Sequence, residues 1–249
     1  MFARSLMAMD KFFAWSAHLY TATGLVAAAM IAVLLVRGGD ESFRWALGLM
    51  LLATVIDSTD GWLARRARVK EVTPGFDGRR LDDLIDFQTY TSLPLLLIWR
   101  AEIFSGGQEW WLLLPLLAGV YGFSQTEAKT DDGYFLGFPS YWNVVAFYLY
   151  MLRPPEWSAL GLIIALSVLT FVPTRYLYAS KSGPFSRMTI LLGIIWAVML
   201  LLILLRAPQG PAPLTLASSY YPIYYMALSW IITFRLRQKP RPAKSKPSP

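Results

Sequence analysis

The chain predicts an all-α integral membrane protein, and three observations carry that prediction. Hydrophobic residues make up 55% of its 249 positions. Only 16% are charged, against about 25% in an ordinary soluble domain. The apolar residues fall in long runs, and roughly 20 in succession is what a helix needs to cross a bilayer. A chain this apolar does not stay solvated as disordered coil, and a soluble enzyme is a poor fit. No cysteine is present, which excludes disulfide frameworks, thiolate zinc sites and cysteine nucleophiles together.

The elements follow in order. Residues 1–14 set Phe2, Leu6, Met9, Phe12 and Phe13 beside Arg4, Asp10 and Lys11, the composition of a short interfacial helix. Eight apolar runs come next, at 15–36, 45–64, 84–104, 110–123, 138–152, 157–179, 188–205 and 214–234. The first is too long for a signal-peptide core and lacks a small-residue cleavage site. The fourth and fifth are short and extend into their polar flanks. Residues 15–234 therefore read as one transmembrane catalytic domain, and residues 235–249 as a basic, Pro-rich cytoplasmic tail. Neither an internal repeat nor a soluble second domain is visible.

Charge sets orientation. With both termini cytoplasmic, inside segments hold 18 Lys and Arg and outside loops hold five, Arg37, Arg44, Arg100, Arg153 and Arg206, as the positive-inside rule requires. The formal charge of +7 suggests nucleic acid at first sight. Six basic residues without an acid lie in the tail alone, so the excess is a membrane-surface feature and nucleic acid is not an expected partner.

The chemistry lies among the acids. A charged side chain at the centre of a span costs about 2.5–3.5 kcal/mol on the mildest scale. Spans two and three nonetheless carry Asp57, Asp60, Asp82, Asp83 and Asp86 at their cytoplasmic ends. Asp57 and Asp60 share one helix face by spacing, as do Asp82 and Asp86. Four converging carboxylates repel one another unless hard divalent cations with oxygen ligands, Mg²⁺ or Mn²⁺, sit among them. Helix capping or pairing with Arg65, Arg66, Arg79 and Arg80 explains one or two aspartates more simply, but not four at this spacing.

The full segment is Asp57-x2-Asp60-Gly61-x2-Ala64-Arg65-x12-Gly78-x3-Asp82-x3-Asp86. It resembles the signature of the CDP-alcohol phosphatidyltransferases, membrane enzymes that move a phosphatidyl or related group from a CDP-linked donor to an alcohol. Eight fixed positions match by accident at roughly 10⁻¹⁰ per start position. The spacing between Arg65 and Gly78 is longer than in the commonest form. It resembles the bacterial branch of the family that condenses CDP-diacylglycerol directly with choline. AHLYTATG (17–24), EAKTDDGYFLGFPSYWN (127–143) and VPTRYLYAS (172–180) are similar to that branch as well.

What the resemblance implies is specific. Asp57, Asp60, Asp82 and Asp86 would bind two divalent ions, Mn²⁺ or Mg²⁺, with Asp57 and Asp82 bridging. Asp86 would also take the proton from the choline hydroxyl as general base. Asp60, Gly61, Ala64, Arg65 and Gly78 would bind the CDP moiety. Gly61 and Gly78 then leave room for a nucleotide, and Arg65 offers a planar donor fork to phosphate. The products would be phosphatidylcholine and CMP. A homodimer in the bacterial inner membrane, in contact with membrane lipids and with its active site facing the cytoplasm, is the expected setting.

Choline is a quaternary ammonium, so its pocket calls for aromatic faces or a carboxylate. Tyr220, Tyr221, Tyr224 and Tyr225 fall in the outer half of the last span, away from the chemistry. Glu127, Tyr141 and Trp142, near the cytoplasmic start of the fifth span, are the candidates. Arg175 is the candidate for the donor's lipid phosphate, with interfacial anchoring as its simpler use. The lone histidine, His18, reads as a hydrogen-bonded packing residue. Serine, glycerol phosphate and inositol phosphate are alternative acceptors, because they share the signature. Asp82-Asp83-x2-Asp86 is also a DDxxD, the diphosphate motif of prenyltransferases, but a distant second Asp-rich motif is missing. A transporter would place its charges near the midplane of the bilayer.

Overall fold

Nothing between Phe2 and Arg37 breaks a helix, and α1 runs through all 36 residues of that stretch. The computed structural model describes residues 2–126, 130, 133–177, 186–206 and 212–238. The boundary expected at Ala14 is not there: the first turns continue the span as one helix. At 1.5 Å per residue α1 is about 54 Å long, against about 30 Å of hydrocarbon, which leaves several turns beyond it. Asp10 in the extension pairs with Arg68 at 3.2 Å.

Gly38 and Gly39, with φ of 73° and 86°, turn the chain in a region glycine tolerates best. They lead into α2 (Asp40–Arg66), which packs back along α1. A short α3 (Val69–Val72) precedes α4 (Gly78–Asp86), whose first turn is capped by Asp77 accepting from the Arg80 N–H at 3.1 Å. A π-helical turn, Phe87–Ser92, and α5 (Leu93–Arg100) continue α4 without a gap. The expected third span lies on this rod.

A 3₁₀ turn (Gln108–Leu112), α6 (Leu113–Ser124), α7 (Trp142–Leu152), α8 (Glu156–Phe171), α9 (Ser186–Arg206), α10 (Ala212–Ser218) and α11 (Tyr220–Gln238) complete the helices. By length and composition Met7–Arg37, Asp40–Arg66 and Ser186–Arg206 are fit to cross a membrane, while Trp142–Leu152 and Glu156–Phe171 are shorter apolar helices. The run expected at 214–234 is divided at Ser219.

The protein is mostly helical rather than all-α. The run expected at 157–179 ends its helix at Phe171, because Pro173 has no N–H to continue it. Beyond it β2 (Arg175–Leu177) pairs antiparallel with β1 (Tyr134–Leu136), Tyr134 facing Leu177 and Leu136 facing Arg175. Three side chains of α11 cover the other edge of β2. Thr233 Oγ1 accepts from the Arg175 N–H at 2.9 Å. Ser229 Oγ accepts from the Leu177 N–H at 3.2 Å, and the Tyr225 hydroxyl donates to the Leu177 carbonyl at 3.0 Å. Spaced four apart on one helix face, they stand in for a missing strand where backbone groups lack water.

The core is aliphatic and aromatic, with Ile31, Leu35, Leu97, Ile98, Trp142, Ile163, Tyr176 and Ile203 fully enclosed. Large apolar side chains also cover the outside, among them Val36, Leu117, Trp157 and Leu205. A surface this apolar belongs in lipid, and the protein is a membrane protein.

Candidate active site

The acidic segment folds so that helix spacing becomes proximity. Asp57 and Asp60 stand on the last turns of α2, and Asp82 and Asp86 on α4. One carboxylate oxygen each from Asp57, Asp82 and Asp86 lies within 4.8 Å of the others. All three residues are half-buried. At an effective dielectric of about 20, two such charges about 5 Å apart repel by about 3 kcal/mol, a cost that a bound cation reverses. An all-oxygen donor set suits hard divalent ions, so these residues fit a metal.

Asp60 lines the same cleft but stands outside that triangle. It is buried, and Thr21 Oγ1 donates to its Oδ2 at 2.9 Å. The cleft is bounded by Thr21, Gly24, Ala53, Ile56, Asp57, Asp60, Asp82, Ile85, Asp86 and Thr89, with about 10 Å³ of room. The enclosed part is about the size of one water, so anything larger would extend toward its open mouth. Asp83 stands outside that triangle and faces Arg79 at 4.0 Å.

Helix α1 supplies the third wall, and the AHLYTATG stretch gains specific work. Gly24 lets Ile85 approach, since a Cβ there would stand 2.9 Å from Ile85 Cγ2. Three residues earlier Thr21 holds Asp60. Three earlier again, buried His18 meets the loop after α2: its Nε2 lies 3.0 Å from Thr73 Oγ1, and its ring packs on Phe76 at 4.6 Å. His18 is a packing residue, as its sequence context suggests. It also explains Gly78, where a Cβ would come within 2.7 Å of the imidazole. The room that Gly78 provides is filled by His18 here. Gly61 is different, because a Cβ there would meet only the Arg65 guanidinium at 3.4 Å. Arg65 is exposed and Ala64 half-buried beside it.

A contact invisible in the sequence comes from the π-helical turn. Buried Tyr90 donates its hydroxyl to Asp57 Oδ2 at 2.7 Å. Its ring centroid is 6.0 Å from that of Tyr141, and Tyr141 is 5.8 Å from Tyr225. Tyr225 in turn stacks with Tyr176 at 6.3 Å. Placing Tyr225 away from the chemistry is thus corrected: the chain restarts as α11 at Tyr220, and that helix lies against β2, which brings Tyr225 onto Tyr141. The tyrosine spacing gave no signal of this.

The other acceptor candidates are more scattered. Trp142 is fully enclosed, packed edge-on against Phe138 at 5.5 Å, and its Nε1 has no hydrogen-bond partner among the described residues. Its ring faces belong to the core. Glu127 lies outside the described residues. Arg175 places its guanidinium over the Tyr134 ring at 5.8 Å, within the strand pair. Gly137, with φ of 80°, passes so close to the Thr170 carbonyl that a Cβ would collide with it, which accounts for the first residue of GFPSYWN.

The sequence model of the CDP-alcohol phosphatidyltransferases matches residues 14–173, a stretch holding the acidic cleft and all three of its walls. The chain belongs to the CDP-alcohol phosphatidyltransferase family, and by that membership it is a phosphatidyltransferase. It is similar to the phosphatidylcholine synthase of Pseudomonas aeruginosa, 33% identical over 211 residues that cover 82% of this chain and 85% of the relative. Over 198 residues it is 39% identical to the phosphatidylcholine synthase of Bradyrhizobium diazoefficiens, covering 75% and 69% of the two chains. The phosphatidylcholine synthase of Borreliella burgdorferi is 29% identical over 230 residues, 91% of this chain and 97% of the relative.

Proposed function

We propose that this protein transfers the phosphatidyl group of CDP-diacylglycerol to choline, releasing phosphatidylcholine and CMP. The observation that carries the reading is the convergence of Asp57, Asp82 and Asp86 within 4.8 Å, in a chain similar to phosphatidylcholine synthases over most of its length. Asp57, Asp60, Asp82 and Asp86 would hold two divalent ions, Mn²⁺ or Mg²⁺. When bound, such ions neutralise charge on the pyrophosphate and the leaving CMP.

The protein's own groups do the rest. Arg65, exposed and one turn past Gly61, meets a donor phosphate with its planar fork. Asp86 accepts the proton of the choline hydroxyl, whose oxygen then forms a bond to the diacylglycerol-side phosphorus as the bond to CMP breaks. The Tyr141 and Tyr225 rings, linked to the cleft through Tyr90, offer faces for a quaternary ammonium, and Glu127 is the carboxylate that the sequence offers beside them in the same role. Arg175 would hold the donor's lipid phosphate. Eight spans with both termini in the cytoplasm, the arrangement the apolar runs and the Lys and Arg distribution support, would set this cleft where acyl chains arrive from the bilayer and choline from water.

The test is incubation of the purified protein with CDP-diacylglycerol, Mn²⁺ and labelled choline, serine or glycerol 3-phosphate in turn. Labelled lipid is expected with choline. Product from serine or glycerol 3-phosphate alone would overturn the acceptor while leaving the family untouched.

A further inference from the structure

Tyr90 joins the acidic cleft to the segment that resembles the choline-using branch of the family. It lies in the turn Phe87–Ser92, directly after Asp86, where π-helical geometry brings Thr89, Tyr90 and Thr91 all to the inside. Such turns concentrate at functional sites. The bond from its hydroxyl to Asp57 Oδ2, at 2.7 Å, is short, as expected of a hydroxyl donating to a carboxylate.

Two residues of α7 and its entry stand behind Tyr90. The Tyr141 ring packs on it at 6.0 Å. Buried Asn143 donates from Nδ2 to Thr54 Oγ1 at 3.1 Å; Thr54 precedes Asp57 on α2 by about one turn and adjoins the Tyr90 hydroxyl. Helix α7 therefore reaches Asp57 by two routes, ring on ring and through α2. A carboxylate ligand held by an outer donor is fixed in orientation before the ion arrives, and losing such a partner typically weakens metal binding 10–100-fold.

We infer that Tyr90 is a positioning residue that fixes the Asp57 carboxylate for cation binding, and that Tyr141 and Asn143 hold Tyr90 in place from α7. The GFPSYWN segment thereby acts on the metal centre as well as on the acceptor. This rests on the reading of Asp57 as a metal ligand, so the experiment separates the two.

Mn²⁺ binding to the purified protein without substrate is measured by electron paramagnetic resonance titration for wild type, Asp57→Asn, Tyr90→Phe and Asn143→Ala. Thermal melting of each serves as the folding control. Tyr90→Phe, which removes one oxygen from a retained ring, is expected to raise the Mn²⁺ dissociation constant about 10–100-fold. Asn143→Ala is expected to raise it several-fold, and the double variant to fall short of the product of the two effects. Wild-type Mn²⁺ affinity in Tyr90→Phe, with binding lost in Asp57→Asn, overturns the positioning role and leaves the metal reading standing. Wild-type affinity in Asp57→Asn, or no Mn²⁺ binding by wild type, overturns both. Should Tyr90→Phe fail to fold, Asn143→Ala decides: unchanged affinity refutes the coupling, and weakened affinity with a normal melt supports it.

Discussion

The two ends of the bundle use arginine in opposite ways. At the end away from the acidic cleft, arginines finish helices. Arg100 donates from Nε to the Leu35 carbonyl at 3.0 Å, in the last turn of α1. Arg44 donates from Nε to the Leu204 carbonyl of α9 at 3.1 Å. Arg153 donates to the Ala101 carbonyl just past α5 and lies over the Tyr150 ring at 5.1 Å. Carbonyls at helix C-termini lack intrahelical partners, and cations there also complement the helix dipole. At the cleft end Arg65, Arg66, Arg68, Arg79 and Arg80 are exposed; Arg79 and Arg66 face near neighbours in the chain, Asp83 and the Trp62 ring, and Arg68 pairs with Asp10 of α1, with side chains rather than helix-end carbonyls as partners. One end uses its cations to tie helices together, while the other leaves Arg65 exposed beside the cleft, where the proposed function needs a hydrogen-bond donor for phosphate.

That contrast orders the expected effects. The largest belongs to the cleft: Asp86→Asn should lower the rate of CMP release by about 10²–10⁴-fold, the usual contribution of a general base, with the melting temperature close to wild type. Retained turnover would break the base assignment. Next is Arg65→Ala, which removes a charged hydrogen-bond donor worth about 1.5–3 kcal/mol. It should lower kcat/KM for CDP-diacylglycerol by about 10–150-fold, with Arg65→Lys recovering part of the loss and stability unaffected. At the opposite end the pattern should invert. Arg100→Ala strands carbonyls of α1, so it should cost about 1–3 kcal/mol of stability, seen in thermal melts, while kcat/KM in folded protein stays near wild type. A kinetic defect at Arg100, or a stability defect at Arg65, would erase the distinction between the two ends.

The sequence made the cleft legible because helical spacing translates directly into a shared face. Asp57 with Asp60, and Asp82 with Asp86, need only the helix repeat and an antiparallel neighbour to converge. Contacts between distant elements carry no such period. Thr21 bonding Asp60, Gly24 admitting Ile85 and Tyr90 bonding Asp57 each depend on how three helices pack, and nothing local marks them. Gly78 shows the same limit from the other side. Its smallness was legible, but the group that needs the space, His18, is far away in the chain. Among the aromatics, packing partners decide: Trp142 is enclosed against Phe138, whereas Tyr225, also buried, sits against Tyr141, although sequence position alone favours the reverse. The strands were illegible for a related reason. Arg175–Leu177 continues an apolar run, and only Pro173 signals that helix cannot carry it on.

The continuous α1 belongs to the same lesson. Polar residues near its start suggest a separate surface segment, yet they leave helix propensity intact. The chain stays helical through Ala14 and uses Asp10 to pair with the loop that His18 holds.

The central claim is that this acidic cleft, filled by divalent ions, joins CDP-diacylglycerol to choline. It is tested most directly by following phosphatidylcholine formation from those two substrates in purified, reconstituted protein, first as isolated, then after chelation with EDTA, then after Mn²⁺ is restored. The account predicts product that depends on choline, disappears on chelation and returns with Mn²⁺. Synthesis that continues in metal-free protein, or its absence when CDP-diacylglycerol, choline and Mn²⁺ are all present, would contradict it.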